Sequence, residues 1–438
     1  MSDGTGGPIG RPPRRTPPVR DVPRHAHPDG GRWSAARPYR SPRWAVAAVL
    51  VAAAVLAGCG GATSGPGSTS GSTAARRTTV YRWGVVGNRG AITQLQLGTP
   101  TAVTGITGRV VQIAASNSDG YALTSTGAVY AWGVDSYGEL GDGRLTPYVT
   151  TAVEVAFPSG VTIRSLANPM PFDAGLAVDS TGHVWGWGLD AVHDLCLPGL
   201  VVARPRRLPL VGVTLATGAR THSLFDERGT IVACGSGDAG ELGNGSTASV
   251  GTPTPVVGLP AGVGVTALVS SWEGSGALLA GGAYYDWGYG AAGQLGDGAT
   301  ADSAVPVEVH LPGPVTQVFE GGSGPTNGQT VAVVRGHGVW AWGSNGRGQL
   351  GVGTRTSSAV PVPVHVPAGA TFNRVASGGS ASYALDSSGR LWAWGDNRHG
   401  QLGTGSRPRL AALPVDVGRR FTQVTSTAQN VAGLSATP

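Results

Sequence analysis

Acidic residues recur in short glycine-rich stretches of this chain, and carboxylates that lie close together can do chemistry. The positions are Asp135, Glu139, Asp142, Asp238, Glu241, Asp297 and Asp396. Paired carboxylates act as general acid and base, or they bind calcium. Alternatively they make turns on a solvated rim, because Asp side chains accept hydrogen bonds from nearby backbone N–H groups. We favour turns, since the residues recur at equivalent positions whereas a catalytic site is usually asymmetric.

The other polar residues form no recognisable catalytic or metal-binding pattern. The histidines are scattered, at His193, His222, His310, His337, His365 and His399. A zinc site needs three or four converging ligands, and this spacing does not provide them. No phosphate-binding glycine loop, dinucleotide-binding fingerprint or nucleophile elbow stands in a credible context. The sequence therefore predicts no catalytic residue, no metal and no cofactor.

The positive charge of the chain is concentrated at its N-terminal end. The formal net charge is +6, and residues 1–44 hold nine Arg against three Asp, so the remainder is neutral. Nucleic-acid binding needs a basic surface. We therefore expect no nucleic-acid partner. Residues 1–43 are also rich in Pro, Arg and Gly, which predicts a disordered leader.

A short apolar segment follows the leader. Residues 44–58 include about 14 apolar positions, which is short for a membrane-spanning helix and typical of a signal-peptide core. The segment runs into LAGC at 56–59, which resembles the lipobox of bacterial lipoproteins, where the Cys becomes the lipidated first residue. We expect a lipid anchor at Cys59 on the extracytoplasmic face of a bacterial membrane; a single-pass signal anchor is the alternative. Residues 59–78 are rich in Gly, Ser and Thr and predict a flexible linker.

One motif recurs seven times in the rest of the chain. Six copies are VYAWGVDSYGELG (129–141), VWGWGLDAVHDLC (184–196), IVACGSGDAGELG (231–243), YYDWGYGAAGQLG (284–296), VWAWGSNGRGQLG (339–351) and LWAWGDNRHGQLG (391–403). A looser first copy begins at VYRWG (80–84) and reaches its QLG at 96–98. Aromatic residues two positions apart lie on one face of a strand and can fill the gap between repeats.

Each repeat contains about four short strands separated by turn residues. In the sixth unit they are 360–366, 372–377, 382–387 and 390–395. A period near 50 residues with four strands in each unit is typical of propeller blades. The sequence predicts an all-β, seven-bladed propeller with four-stranded blades over residues 79–438.

The repeated W-G-x-N-x-x-G-Q-L-G units resemble the regulator of chromosome condensation (RCC1-type) repeat family, whose members form seven-bladed propellers. The resemblance covers about residues 79–437. It places His222 where the family often has His, which implies a hydrogen bond to backbone within its blade. The founding member acts on a small GTPase. The neutral charge and the lipobox argue against a GTPase partner here, and the repeat spacing leaves no room for the hairpin that works on it.

The two ends of the repeat region are predicted to close the ring. Residues 421–438 match two strands of a unit and then stop. The missing neighbour is a VYAWG-type strand, and the segment 79–84 fits that description. We predict that 79–84 pairs beside Asn430–Ser435, so that both ends of the region build the last blade. Closure removes the exposed sheet edges that would otherwise aggregate.

The third unit departs most from the pattern. Cys196 replaces the last Gly of its motif, and Cys234 replaces the Trp of the next. In an oxidising compartment the two could form a disulfide; otherwise they remain buried thiols. Pro205-Arg206-Arg207 follows in the same unit, as a binding surface or as drift within one blade.

Three functional hypotheses follow. The first is a non-catalytic, lipid-anchored propeller that presents its loops to a protein or cell-wall partner. Its candidate contacts are Asp135, Tyr137, Tyr289, Asn345, Arg347, Asn397, Arg398 and His399. The second is an extracytoplasmic hydrolase or lyase acting on polysaccharide, and the third is a glycan-binding lectin using rim tyrosines. Two loop carboxylates roughly 5–9 Å apart in a deep pocket would favour the enzyme.

Overall fold

The computed structural model describes residues 78–86, 95–197, 201–272, 274–322, 324, 327–366, 368–404, 409–414, 420–427 and 430–436. The predicted leader, apolar segment, lipobox Cys59 and most of the linker lie outside these residues. Within them, no helix has both the length and the apolar character that crossing a bilayer requires.

The described strands form seven antiparallel sheets of four strands, and each sheet is one propeller blade. The first two strands, β1 (Thr78–Val86) and β2 (Leu95–Ala102), belong to the last blade. Blade 1 consists of β3 (Val110–Ala115), β4 (Asp119–Thr124), β5 (Val129–Asp135) and β6 (Thr146–Glu154). Blade 2 consists of β7 (Ile163–Leu166), β8 (Ala174–Asp179), β9 (His183–Leu189) and β10 (Val201–Val211). Blade 3 consists of β11 (Val213–Gly218), β12 (His222–Glu227), β13 (Thr230–Gly235) and β14 (Val250–Pro255).

The remaining blades follow the same order. Blade 4 consists of β15 (Val265–Ser270), β16 (Gly274–Leu279), β17 (Tyr284–Gly288) and β18 (Ser303–Glu308). Blade 5 consists of β19 (Val315–Gly321), β20 (Gln329–Val334), β21 (Gly338–Gly343) and β22 (Ser358–Pro363). Blade 6 consists of β23 (Phe372–Ser377), β24 (Ala381–Asp386), β25 (Leu391–Gly395) and β26 (Arg409–Pro414). Blade 7 consists of β27 (Gln423–Thr427) and β28 (Asn430–Ala436), followed in the sheet by β1 and β2.

The composition of each strand matches its place in the blade. The second strand of blade 5, β20, is QTVAVV and is buried at every position, since it lies between two neighbours and under the adjacent blade. The fourth strand, β22, is SAVPVP and has no fully buried residue. Proline lacks the N–H that a central strand would need, so it suits this edge position.

The predicted ring closure is confirmed. Strand β1 pairs with β28 in an unbroken register from Thr78 opposite Ala436 to Gly84 opposite Asn430. Strand β28 pairs in turn with β27. The last blade is therefore built from both ends of the repeat region, and the first strand of the fold is hydrogen-bonded to the last.

The structural blade and the sequence unit differ in phase by one strand. The segment 360–366, predicted as the first strand of the sixth unit, is observed as β22 and forms the outer edge of blade 5. The other three predicted strands of that unit are observed as β23, β24 and β25. Each blade thus receives its outer strand from the sequence unit that follows, which links consecutive units.

The predicted first-copy loop at QLG 96–98 is wrong. These residues lie within strand β2. A Cβ placed on Gly400 of blade 6 would meet the Cα of Gly98 at 2.7 Å. In blades 2, 4 and 5 the outer-strand residue that lies against the motif loop of the preceding blade is an alanine. These residues are Ala203, Ala304 and Ala359. Gly98 is therefore the outer-strand counterpart of those alanines, and the QLG letters are a coincidence.

Buried tryptophans join neighbouring blades. In six of the seven motifs the second aromatic residue is fully buried, at Trp83, Trp132, Trp187, Trp287, Trp342 and Trp394. The Trp342 indole N–H donates to the carbonyl of Gln294 in the preceding blade at 2.9 Å, and Trp394 does the same to Gln349 at 2.8 Å. The leucines that follow these carbonyl residues, Leu295 and Leu350, are also buried. A motif can therefore donate through its Trp N–H to the preceding blade and accept, at the carbonyl before its Leu, from the Trp of the following blade.

The junction of blades 2 and 3 is held differently. Here the structure joins Cys196 and Cys234 in a disulfide, the first of the two alternatives that the sequence left open. Together with the buried tryptophans, this bond lies among strands that close on themselves between residues 78 and 436. This segment therefore contains its own core and folds as a unit.

Candidate interaction face

The direction of the strands defines two faces of the propeller. Because consecutive strands are antiparallel, the turn between the first and second strands lies at the same end of a blade as the loop between the third and fourth. We call this end the loop face; it carries the motif loops 136–145, 190–197, 236–249, 289–302, 344–357 and 396–404. The opposite face carries the turns between second and third strands, and the connections between blades.

All seven blades meet at a small cavity on the axis of the loop face. It is lined by the ends of the first strands and the turns that follow them, and includes Asn117, Met170, Ser271, Glu320, Ser377 and Thr427. Its volume is about 50 Å³, and on the same scale about 10–15 Å³ is enough to hold one water molecule. The axis therefore has room for a few water molecules or for the tip of a partner's side chain.

An arginine between two aromatic rings lies at the rim of this cavity. The Arg220 guanidinium is 4.1 Å from the ring centroid of Trp272 and 5.8 Å from that of Phe172. The two rings lie 5.2 Å apart and edge to face. Arg220 is exposed, while both rings are half-buried. We call Phe172, Arg220 and Trp272 the axial cluster.

Backbone hydrogen bonds between blades hold the axial cluster in place. The Phe172 N–H donates to Ala219 in blade 3 at 3.1 Å, and its carbonyl accepts from Asn117 in blade 1 at 3.0 Å. The Thr221 hydroxyl donates to the carbonyl of Trp272 in blade 4 at 3.1 Å. Four consecutive blades thus fix the backbone that carries the two rings and the arginine before any partner arrives, which lowers the entropy cost of binding.

Three of the eight predicted contact residues point inward. Asp135, Asn345 and Asn397 are fully buried. Each accepts a hydrogen bond from the backbone N–H of the leucine five residues later, at 2.9–3.2 Å. They fold the motif loop onto itself, so a partner at the rim would not reach them. The turn-making role predicted for the recurrent loop carboxylates applies to Asp135.

Two of the predicted arginines come together at the rim between blades 5 and 6. Arg398 is bonded to Asp396 at 2.7 Å, and the Arg347 Nε lies 3.9 Å from the same carboxylate oxygen. Hydrogen bonds and charge from Arg398 hold the pKa of Asp396 below its usual range, against the effect of burial. Both arginine side chains remain about half exposed, at 49 %. Asp396 therefore gathers them into one basic spot.

The other three predicted contacts are partly accessible. Tyr137, Tyr289 and His399 are each half-buried and belong to the loops of blades 1, 4 and 6. Burial lowers the pKa of His399. The His399 N–H donates to Gln401 Oε1 at 3.0 Å, as the Tyr137 N–H does to Glu139 Oε2 at 2.6 Å. Their backbones belong to the loop scaffold, and their side chains lie at its surface.

The carboxylates whose pKa is raised are buried, and one of them, Glu320, also lines the small axial cavity. Burial raises the pKa of Glu139 and of Glu320 to about 7. The Tyr284 hydroxyl lies 2.7 Å from Glu320 and 3.3 Å from Asp286, which are 4 % and 2 % exposed. Among the described residues, no group of three potential ligands is placed to hold a metal. This arrangement does not favour a polysaccharide-cleaving site.

His222 has a structural role, but its partners are hydroxyl groups and not the predicted backbone of its own blade. It is fully buried, and its ring nitrogens lie 2.7 Å from the Ser275 hydroxyl in blade 4 and 3.0 Å from that of Thr221. Burial lowers the pKa of His222 to about 3, so the ring is neutral. It joins blades 3 and 4.

The sequence contained one unused signal for the axial cluster. Between residues 78 and 438, Trp272 is the only tryptophan outside a third-strand motif. A repeat-based prediction searches the motif loops, whereas the axial cluster lies in the turns between first and second strands. A large aromatic residue in such a turn has no packing role shared by the other blades.

Family comparison agrees with the repeats seen in the structure. Residues 281–324, 337–385 and 388–434 match the regulator of chromosome condensation (RCC1) repeat, and residues 372–401 match a second description of the same repeat. These segments belong to one closed ring of seven blades. The chain therefore contains RCC1 repeats within a seven-bladed propeller.

Its sequence is similar to parts of several known proteins. The ultraviolet-B receptor UVR8 of Arabidopsis thaliana is 28% identical over 273 residues, which cover 60% of each chain. The mitochondrial RCC1 domain-containing protein RUG3 of the same plant is 29% identical over 313 residues, 68% of this chain and 56% of RUG3. The human E3 ubiquitin-protein ligase HERC2 is 28% identical over 259 residues, 56% of this chain and 5% of the ligase. The chain thus spans less than two thirds of the length of these relatives.

Solved structures share the fold. Human WBSCR16 superposes with a TM-score of 0.71 at 21% identity, covering 83% of this chain and 99% of that one. Prp20p of Saccharomyces cerevisiae, which binds Gsp1p and histones, gives 0.69 at 18% identity, covering 83% and 92%.

Proposed function

We propose that this RCC1-repeat propeller is a non-catalytic interaction module, held at the extracytoplasmic face of a bacterial membrane by lipid on Cys59. Its loop face binds a protein partner. The axial cluster of Phe172, Arg220 and Trp272 carries this proposal. Arginine and tryptophan are enriched among the residues that dominate binding energy at protein interfaces. In this cluster they are accessible, rigidly held and central on the face.

The topology is consistent with a loop face that points away from the membrane. Strand β1 is a third strand, so it starts at the face opposite the loop face. The Thr78 hydroxyl at its start accepts a hydrogen bond from the N–H of Val110, the first residue of β3. The chain therefore enters the propeller at residue 78 on the face opposite the loops. A lipid on Cys59 would leave the loop face turned outward.

The loop rim adds a second contact area. Arg347 and Arg398 lie over Asp396, and Tyr137, Tyr289 and His399 extend the rim across other blades. Exposed charges at an interface rim steer encounter more than they add affinity. We expect the axial cluster to supply most of the affinity and the arginine pair to set orientation and salt dependence.

Cross-linking in envelope extract tests this proposal. Residues 75–438 are immobilised and partners identified by mass spectrometry, alongside the Arg220→Ala, Trp272→Ala double variant. The matched control is Arg390→Ala with Trp340→Ala, an arginine and a tryptophan on the opposite face. Loss of the same partner from the axial variant and its retention by the control would support the proposal. Retention by both, or equal loss from both, would reject the axial cluster as the binding site.

The anchor is tested separately on the native protein. Mass spectrometry of the membrane-bound form should find a lipid-modified N-terminal Cys59. A peptide in which unmodified Cys59 is still joined to Gly58 would reject lipidation, whatever the result of the partner experiment.

A further inference from the structure

The outer strand of blade 2 carries a concentration of positive charge on the side wall of the propeller. Strand β10 (VVARPRRLPLV) holds Arg204, Arg206 and Arg207, and all three are exposed. Among the described residues, none of them has an acidic partner within 4.0 Å. We call these three residues the arginine stripe.

No other outer strand holds more than one charged residue; β26 begins with Arg409, its only one. Strand β6 has Glu154 and β18 has Glu308 as their single charged residue, whereas β14 and β22 have none. The described side chains of β2, residues 97–102, are uncharged as well. Since the chain from residue 59 onward is neutral overall, the arginine stripe is a local feature of one blade.

The backbone of β10 makes the stripe possible. Val202, Pro205, Leu208 and Leu210 face inward and are buried. Burial would alternate strictly in a regular strand, but Arg206 and Arg207 are both exposed, and the pairing with β9 shifts register on either side of them. Bulges at sheet edges re-aim side chains in this way. An irregular edge that contains prolines also resists pairing with another strand.

The stripe continues toward the loop face. A Cβ added to Gly143 in the loop of blade 1 would meet the Arg204 guanidinium at 2.4–2.7 Å, so Arg204 lies directly against that loop. The adjacent Arg144 is 75% exposed and only 3.9 Å from Asp142. The charges therefore follow a line from the loop of blade 1 along β10.

The start of β10 is covalently restrained. The disulfide at Cys196 fixes the loop that leads into this strand. At the other end, the Val211 N–H donates to Glu227 of blade 3 at 2.8 Å. A stripe held at both ends loses less entropy when a ligand binds than a mobile loop would.

We propose that the arginine stripe binds a linear, phosphate-bearing anionic polymer. Three residues along a strand span about 10 Å, so the guanidinium groups can follow successive charges of one extended chain. The planar fork of arginine matches two phosphate oxygens. A flat bilayer fits less well, because Arg204 lies at the loop-face end of the side wall, away from the end where β1 begins.

Inorganic polyphosphate is the probe that tests this inference. Residues 75–438 are used, because the nine arginines of residues 1–44 would bind the polymer themselves. Binding is measured in solution for the parent, for Arg204→Gln with Arg206→Gln and Arg207→Gln, and for a control with equal charge change. The control replaces Arg335, Arg355 and Arg390, which are exposed elsewhere.

The stripe variant should bind polyphosphate at least tenfold more weakly, and the control less than twofold. The dependence of log K on log salt concentration should lose about two units of slope in the stripe variant, because fewer counterions are released. Equal losses of affinity in both variants would show that binding depends only on net charge, and would overturn the proposal. Absence of binding at physiological salt would overturn it as well.

Two further probes separate other polyanions. If polyglutamate binds as tightly as polyphosphate through the same arginines, the ligand would be assigned as an acidic protein segment and not as a phosphate polymer. Stripe-dependent binding to anionic vesicles without polyphosphate binding would assign the stripe to a membrane. The stripe variant should keep the partner captured by the loop face, and the Arg220, Trp272 variant should keep polyphosphate. Failure of either proposal is thus visible without the other.

Discussion

Cys196 and Cys234 are bonded where neighbouring junctions bring a glycine against a tryptophan. A Cβ on Gly141 would lie 2.8 Å from the Trp187 ring, so a side chain at this loop position excludes the tryptophan. Cys196 keeps the left-handed φ of the glycine, at 51°. The Cys234 sulfur lies 3.9 Å from the carbonyl of Asp194, where an indole N–H would donate. The two substitutions compensate each other.

Restoring the tryptophan alone should therefore be worse than restoring the pair. Cys234→Trp places an indole against the Cys196 side chain and breaks the disulfide, which closes a separation of 38 residues and contributes about 2–4 kcal/mol. Adding Cys196→Gly should recover much of the lost thermal stability and make it independent of reductant. Thermal unfolding with and without dithiothreitol measures this; additive effects of the two changes would contradict compensation.

Glu139→Gln should stabilise the protein at alkaline pH. Burial raises the pKa of Glu139 to about 7 from 4.5, so the folded state holds the proton more tightly than the unfolded state. The free energy of unfolding therefore falls as the pH rises from about 4.5 to 7. Glutamine stays neutral, and Gln294 makes the same backbone contact in blade 4. We expect a gain of about 1–3 kcal/mol at pH 8.

The gain should disappear at pH 4, where Glu139 is protonated in the folded protein. Urea unfolding at both pH values measures the difference. Glu154→Gln, at an exposed position on β6, is the control and should change stability by less than about 0.5 kcal/mol at either pH. A gain for Glu139→Gln that persists unchanged at pH 4 would rule out the buried charge as its cause.

Asp and Asn occupy the same motif position but should not be interchangeable. The Asn345 amide donates to the carbonyls of Thr354 and Thr356, at 3.1 and 3.0 Å. Asp135 instead accepts from the N–H and hydroxyl of Thr146. Asn345→Asp turns a carboxylate toward two carbonyls and should cost about 1–3 kcal/mol, as much as Asn345→Ala. Equal stability of Asn345→Asp and the parent in urea unfolding would show that the two donated bonds contribute little.

A circular permutant should fold. Thr78 and Ala436 are paired residues at the same end of adjacent strands, so a short turn can join them. Other blades link their second and third strands this way, as residues 387–390 do between β24 and β25. New ends fit between Gly262 and Val263, in an exposed connection of blades 3 and 4. Circular dichroism should give the parent spectrum; a control opened within β12, between Leu224 and Phe225, should not fold.

The fold was largely predictable because the repeat is long and regular, and because turn residues mark the ends of its strands. Closure through β1 followed from a missing VYAWG-type strand, and the register with β28 bears it out. The assignment of each outer strand to its blade was not predictable in the same way. A strand such as β22 (SAVPVP) has the same residues whichever blade it joins, and only its pairing with a third strand decides its sheet.

The interaction face was predicted less completely. Sequence variation between motif copies suggested eight contacts, but variation does not separate a side chain that folds inward from one that faces solvent. Asn397 and Arg398 are neighbours, yet the first is buried against its own loop and the second is exposed. The axial cluster depends on turns from three blades meeting at the axis, which no single repeat encodes.

The pairing of β1 with β28 also sets an order in time. When the chain is synthesised, β1 appears first and can pair with β2, but its other edge has no partner until residues 430–436 exist. Trp83 is fully buried in the folded protein, but it stays exposed to solvent while the six other blades are synthesised. Contacts between such distant residues form slowly, and exposed apolar surface promotes aggregation while they do. The joining of the two ends is therefore the final event of folding, and the period before it is when the protein most needs protection.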